Sequence, residues 1–378
     1  MNLTSRERLL RIFRGDVIDR PALKLWGAGI DPEYHIHPAY LPVNRAAAEK
    51  TDLFGTAGFP FDMAAGRNTH RYIETYDTNT KNPDWRDRHT VYHTPKGDLH
   101  MIDRYSLRGD PGYTVEHMIK EPEDIDRYLS MDYEPFSFDR SAFDTADARM
   151  GDRGVTMIGI PHAGYSAQCL LGSETLAYFA IDEEDRIAEL ISVFRQRVID
   201  HTKQILSLGI KEPIFSWVGP EVFLPPLMRP DDFETYVRDA DKPICDLVHS
   251  AGGHVWVHSH GKVARFIDSF IAMGVDVLNP LEPPKNGDID MEDIIARYQN
   301  RIGWEGNIEI QEILLSSKER IRELIDACVS AGWKSGRFIL CPSAGYMEYP
   351  RPTEQYIENL LFYINYGYEA VERCRQSQ

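Results

Sequence analysis

The chain has 378 residues, of which 42% are hydrophobic and 27% charged, enough apolar material for a large packed core. Its 42 lysines and arginines against 59 aspartates and glutamates leave a formal charge of −17, which argues against DNA, RNA or an anionic membrane surface as a partner. No apolar run is long enough to span a bilayer and the N-terminus lacks the apolar segment of a signal peptide, so the expected location is the cytoplasm.

Thr4-Ser-Arg-Glu7 is a capping box, and Leu9, Leu10, Ile12 and Phe13 follow it at helical spacing up to Gly15. Pro21–Trp26 reads as a first strand. The polar, aromatic-rich stretch 77–140 alternates in short pieces and reads as an insertion of hairpins and loops without a core of its own. Strand and helix patterns then alternate. Strands are expected at Val155–Ile160, Pro213–Val218, His254–His258 and Val275–Asn279, then from Ile302 and over Phe338–Cys341. Helices are expected at Ile187–Leu208, Pro230–Ala251, Val263–Met273, Met291–Tyr298, Ser317–Ala331 and Thr353–Cys374. Such alternation means a parallel sheet with helices outside, and the number of units favours a closed (β/α)8 TIM barrel over an open sheet. There is no GxGxxG turn to support a nucleotide fold. The whole chain, 1–378, is taken as one barrel domain carrying the insertion.

In a barrel the strand ends at the C-terminal face carry the chemistry. His258 and His260 end the run Gly253-His-Val-Trp-Val-His-Ser-His260, and residues two apart in a strand share a face. Two imidazoles converging there suit a metal, though a hydrogen-bonded pair in a loop would look the same. Cys341 ends another strand. The five cysteines are odd in number and scattered, so they read as thiols rather than a disulfide framework. With the histidines, Cys341 completes two nitrogens and one sulfur, leaving a fourth position open as in catalytic zinc sites. Glu221 and Glu309, after predicted strands, are candidate catalytic carboxylates, either as a fourth ligand or as groups orienting a ligand. Trp26, Phe54, Phe61, Trp217 and Tyr346 are candidate walls of an aromatic substrate pocket, with ordinary barrel core as the alternative. His35 and His37 form a second HxH pair in an early loop, read as surface or substrate-loop residues.

Several stretches together resemble the uroporphyrinogen decarboxylase superfamily over most of the chain. They are Arg6 to Pro21, Pro230 to Gly261, Phe270-Ile-Ala-Met-Gly-Val-Asp-Val-Leu-Asn279, and Gly306-Asn-Ile-Glu309. The resemblance implies a (β/α)8 barrel. True decarboxylases of that superfamily carry an arginine-rich loop for porphyrinogen carboxylates. Here the segment is Leu23-Lys-Leu-Trp-Gly-Ala-Gly29, with Lys24 its one cation. The other branch contains zinc methyltransferases of corrinoid systems, whose thiol-methylating members use a His-x-Cys pair and a distant Cys. This chain has His258-x-His260 and Cys341, a departure at the middle ligand. An imidazole in place of a thiolate leaves a more Lewis-acidic zinc, better suited to an ether oxygen than to a thiolate.

The resemblance therefore implies a methyltransferase that takes a methyl group from a small methoxylated substrate, expected to be an aromatic methyl ether, and hands it to cob(I)alamin. There is no Asp-x-His-x-x-Gly corrinoid motif, so the cobalamin is expected on a separate corrinoid-binding protein. A homodimer is left open. The alternatives are a methylcobalamin-to-thiol methyltransferase, a decarboxylase, and a small-molecule-binding barrel without catalysis.

Overall fold

Strands buried on both faces are near-continuous apolar runs, and eight such segments build the central sheet. The computed structural model describes residues 2–33, 37–345 and 352–376. In chain order the strands are β1 (Ala22–Leu23), β2 (Leu53–Gly58), β3 (Ile73–Asn79), β4 (Trp85–Thr94), β5 (Gly97–Ser106), β6 (Tyr113–Glu116), β7 (Gly154–Gly159), β8 (Ile214–Val218), β9 (His254–His258), β10 (Val277–Leu281), β11 (Gly303–Ile308) and β12 (Phe338–Pro342). The main sheet runs β1-β12-β11-β10-β9-β8-β7-β2 with every neighbouring pair parallel. Its two end strands meet at Asp52. The Asp52 N–H donates to the Leu23 carbonyl at 2.7 Å, and the Leu23 N–H donates to Asp52 Oδ2 at 2.9 Å. The sheet thus curls into the expected (β/α)8 barrel, with helices outside it.

Asp52 is fully buried and bonded to Arg8 Nη1 at 2.6 Å and Arg20 Nη1 at 3.1 Å. Burial alone would raise its carboxyl, but the two guanidiniums hold it below the usual range. Arg8 comes from the first helix, Ser5–Arg14, where Thr4 and Glu7 form the expected capping box. The apolar face of that helix closes the N-terminal end of the barrel. Leu9, Ile12 and Phe13 pack with Val155, Met157, Ile214, Trp256, Val277 and Ile339, which point inward from five strands. The opposite end is left as the mouth.

The insertion is a four-stranded antiparallel sheet, β3-β4-β5-β6, followed by the helix Pro122–Leu129. Leu99, Met118, Ile119, Ile125 and Tyr128 join the main core, so the insertion packs on the barrel and has no separate interior. No helix among the described residues is long and apolar enough to cross a membrane.

Several bounds differ from expectation. β1 holds two residues rather than six, because the chain turns away at Gly27, whose φ is 88°. β2 and the helix Ala163–Asp182 are elements that the sequence pattern did not isolate. That helix is broken at Gly172 (φ 74°), which interrupts its periodicity.

Candidate active site at the mouth of the barrel

Alternation along each strand decides what reaches the interior. In β9, Trp256 and His258 point inward, His260 follows just beyond the strand end, and the chain turns after it at Gly261 (φ 90°). The two rings meet edge to face with centroids 4.4 Å apart. His258 is buried, and its ring lies 4.9 Å from that of Trp26. Its Nδ1 is 2.6 Å from Asn279 Oδ1. His260 Nδ1 is 2.8 Å from Glu282 Oε1, and the other oxygen of Glu282 accepts the Gly261 N–H at 2.7 Å. Burial pushes the His258 imidazole down to about 4, whereas the Glu282 carboxylate raises that of His260. Among the described residues no hydrogen bond engages either Nε2.

Cys341 is fully buried in β12, beside Glu305 and Lys24. Burial first, and then the Glu305 carboxylate, push its thiol well above the usual range. Glu305 sits in β11 at no solvent exposure and gathers donors from neighbouring strands. Lys24 Nζ donates to Oε1 at 2.6 Å, Asn279 Nδ2 to Oε1 at 2.9 Å and Trp256 Nε1 to Oε2 at 2.8 Å. The Lys24 ammonium also lies 4.2 Å from the Phe54 ring centroid, 4.6 Å from Trp26 and 4.9 Å from Trp256, a cation held by three aromatic faces and one carboxylate.

Metal binding requires a neutral imidazole whose other nitrogen is held by an acceptor. Both histidines have the acceptor, and burial keeps His258 neutral, whereas His260 would give up the proton that Glu282 favours; in donor chemistry the pair with Cys341 fits zinc. Among the described residues no three His, Cys, Asp or Glu side chains already surround one point, so ligation by all three calls for side-chain rearrangement and for loss of the thiol proton.

Glu221 stands in the turn Pro220–Phe223 after β8, and Glu309 follows β11. Both feel the charge of His260, and burial raises both carboxyls. Glu309 Oε2 accepts from Asn286 at 3.1 Å and from Ser343 at 3.2 Å. Among the described residues, Glu221 Oε2 and Glu309 Oε1 are buried without a hydrogen-bond partner.

A cavity of about 540 Å³ opens beside Trp26, walled by Phe54, Met150, Met157, Ser216 and Trp256 and bounded by Asp31 and Arg149. Those last two pair at 2.9 Å. Of the expected pocket residues, Trp26 and Phe54 line this cavity. Trp217 and Phe61 do not. Trp217 is 3% exposed and joins the core under the helices, because Ser216 and not Trp217 is the inward residue of β8. Phe61 packs on His201 at a centroid distance of 4.8 Å. Tyr346 and His35 lie outside the described residues. His37 caps the turn Pro38–Tyr40, its Nδ1 accepting the Ala39 N–H at 3.2 Å.

Sequence reasoning missed Asn279, Glu282 and Glu305. A signal was present for Glu305, a carboxylate inside the apolar strand run Ile302-Gly-Trp-Glu305, since a buried charge must have partners.

The profile of uroporphyrinogen decarboxylase (URO-D) matches residues 107–357. The chain belongs to the uroporphyrinogen decarboxylase family. No curated protein matches it. A methyltransferase from Methanosarcina mazei is similar in fold, with a TM-score of 0.58 and 15% identity over 100% of this chain and 99% of that one. A 3-keto-D-glucoside 4-epimerase from E. coli aligns with a TM-score of 0.33 and 11% identity, covering 65% of this chain and 93% of that one. Uroporphyrinogen decarboxylase family membership and the full-length likeness to the first structure agree on the barrel. The chemistry rests on the residues at its mouth.

Proposed function

We propose that the protein is a zinc-dependent methyltransferase of the corrinoid branch of this family. It takes a methyl group from a small methoxylated, aromatic substrate and delivers it to cob(I)alamin on a separate corrinoid-binding protein. The observation that carries this reading is the histidine pair. Each Nδ1 is held by an acceptor, which leaves two Nε2 atoms for a ligand at the barrel mouth.

His258, His260 and Cys341 would hold the zinc, which supplies Lewis acidity toward the ether oxygen. Trp26 and Phe54 offer aromatic faces to a planar ring in the adjoining cavity. Glu221 and Glu309 keep their protons to higher pH than exposed carboxyls do, and each has a buried oxygen without a partner among the described residues. They would supply the proton that the departing oxygen takes up. Decarboxylation of a polycarboxylate is disfavoured, because Lys24, the one cation of the segment Leu23–Gly29, is already neutralised by Glu305.

Elemental analysis of untagged protein, with His260→Ala as control, is the first test. About one zinc per chain, lost in the variant, is expected. Methoxylated arenes incubated with the protein and cob(I)alamin should then yield the demethylated phenol and the methylcobalamin spectrum. No metal in either protein after zinc is added, and no methyl transfer, would overturn the reading.

A further inference from the structure

Glu305 touches neither histidine, yet its bonds dictate how His258 is presented. A carboxylate only accepts hydrogen bonds, whereas an amide has one accepting and one donating end. Because Asn279 faces Glu305 at 2.9 Å, the end of Asn279 turned toward the carboxylate must be its NH2 group. Its Oδ1 is then turned the other way, 2.6 Å from His258 Nδ1. That oxygen can only accept, so His258 Nδ1 must carry the proton and Nε2 the lone pair. We propose that Glu305 is a positioning residue that sets the His258 tautomer through Asn279, keeping Nε2 available at the mouth.

Three observations make Glu305 the source of this order. Trp256 Nε1 donates to its second oxygen at 2.8 Å, so both oxygens face donors and neither can be replaced by an NH2 group without two donors meeting. Lys24 Nζ, 2.6 Å away and enclosed by aromatic rings, supplies the balancing charge for a carboxylate with no solvent exposure. Cys341 lies beside the same carboxylate, so Glu305 neighbours one candidate metal ligand and reaches a second through Asn279. Lys24 is on this account an internal counter-ion rather than a substrate-binding cation.

The inference rests on the proposed role of His258 as a ligand, but its test does not require the metal or the reaction. Long-range 1H–15N correlation spectra of metal-free protein at neutral pH, with the His258 signals identified by their loss in His258→Gln, should show the Nδ1–H tautomer. In Glu305→Leu no acceptor faces Asn279 Nδ2, and the Asn279 Oδ1 is free to turn toward the Lys24 ammonium that shared the same carboxylate oxygen. Asn279 is expected to turn over and His258 to become the Nε2–H tautomer. Zinc affinity should fall about 10–100-fold in the same variant. Asn279→Asp must hold a proton on the oxygen that faces Glu305, still turns an accepting oxygen to His258, and should keep Nδ1–H. Asn279→Leu removes the link and should lose the preference while Glu305 stays in place. An unchanged Nδ1–H signal in Glu305→Leu, or in Asn279→Leu should the first variant fold poorly, overturns the proposal. Tautomer changes as expected in a protein that neither binds zinc nor transfers methyl groups would leave the positioning chain standing and remove the proposed function alone.

Discussion

His258 and His260 stand edge to face with ring centroids 4.4 Å apart, yet each leans on a different acceptor, an amide oxygen for His258 and a carboxylate for His260. The difference separates the consequences of removing them. His258→Ala leaves the buried Oδ1 of Asn279 without a donor, a loss of about 1–3 kcal/mol. His260→Ala leaves Glu282 Oε2 still bonded to the Gly261 N–H, and because His260 is partly exposed, water can take its place at Oε1. Both variants, and Cys341→Ala, should lose zinc and activity while keeping a barrel circular-dichroism spectrum. Full zinc content and activity in His258→Ala and Cys341→Ala together would rule out the metal site.

Glu221→Gln and Glu309→Gln keep shape but cannot release a proton. Each should fold normally, and at least one should lower kcat by about 10²–10⁴-fold, the range for loss of general acid–base catalysis. The loss should be smaller for a methoxyarene whose departing phenolate is already stable, because such an oxygen needs the proton least. Equal losses for good and poor leaving groups would remove the carboxyls from the proton-transfer role.

Gly58 and Gly159 are paired across β2 and β7, and a Cβ built on either meets nothing within 4 Å. Together with Val218, which is 44% exposed at the end of β8, they leave one sector of the mouth bare. Gly159→Val should therefore leave the melting temperature nearly unchanged while raising KM about tenfold, since an added side chain there obstructs approach without touching the polar sector. A large loss of stability with unchanged KM would contradict the open sector.

His201 is buried between Phe61 and Phe138, and its Nε2 has no hydrogen-bond partner among the described residues. Burial lowers its pKa from 6.5 to about 4. The unfolded chain therefore takes up a proton that the folded protein refuses. Its contribution to stability is complete above pH 6.5 and is lost as the pH falls toward 4, by up to about 3 kcal/mol. Urea denaturation across that window should show a shallower loss in His201→Gln than in the natural protein. Parallel curves would assign the acid sensitivity elsewhere.

The elements carrying the histidines were legible because glycines punctuate them. Gly253 and Gly261 bracket β9, and its bounds, His254–His258, are those the sequence predicts. Met291–Tyr298 is also as predicted. What could not be read was which face of a strand looks inward. In β8 both Phe215 and Trp217 on one face, and Ile214 and Val218 on the other, are apolar, so alternation gives no sign of the side that meets the mouth. The expectation that Trp217 lines the pocket, made from its place at a strand end, fails for that reason. Asn279, Glu282 and Glu305 depend on neighbouring strands for their partners, and a single strand's pattern does not reveal a contact made across the barrel.

A closed cylinder has no edge strands, and edges are where sheets recruit strands from other chains. Here the closure falls at β1, two residues long, and passes through Asp52, whose carboxylate stands in for part of the ladder that a longer strand would provide. Removing that carboxylate would leave the Asp52 N–H bonded to the Leu23 carbonyl but weaken the closure at which two borders would open. The first symptom of damage at Asp52 would then be self-association of the chain, arising at the end of the sheet farthest in topology from the histidine-bearing strand.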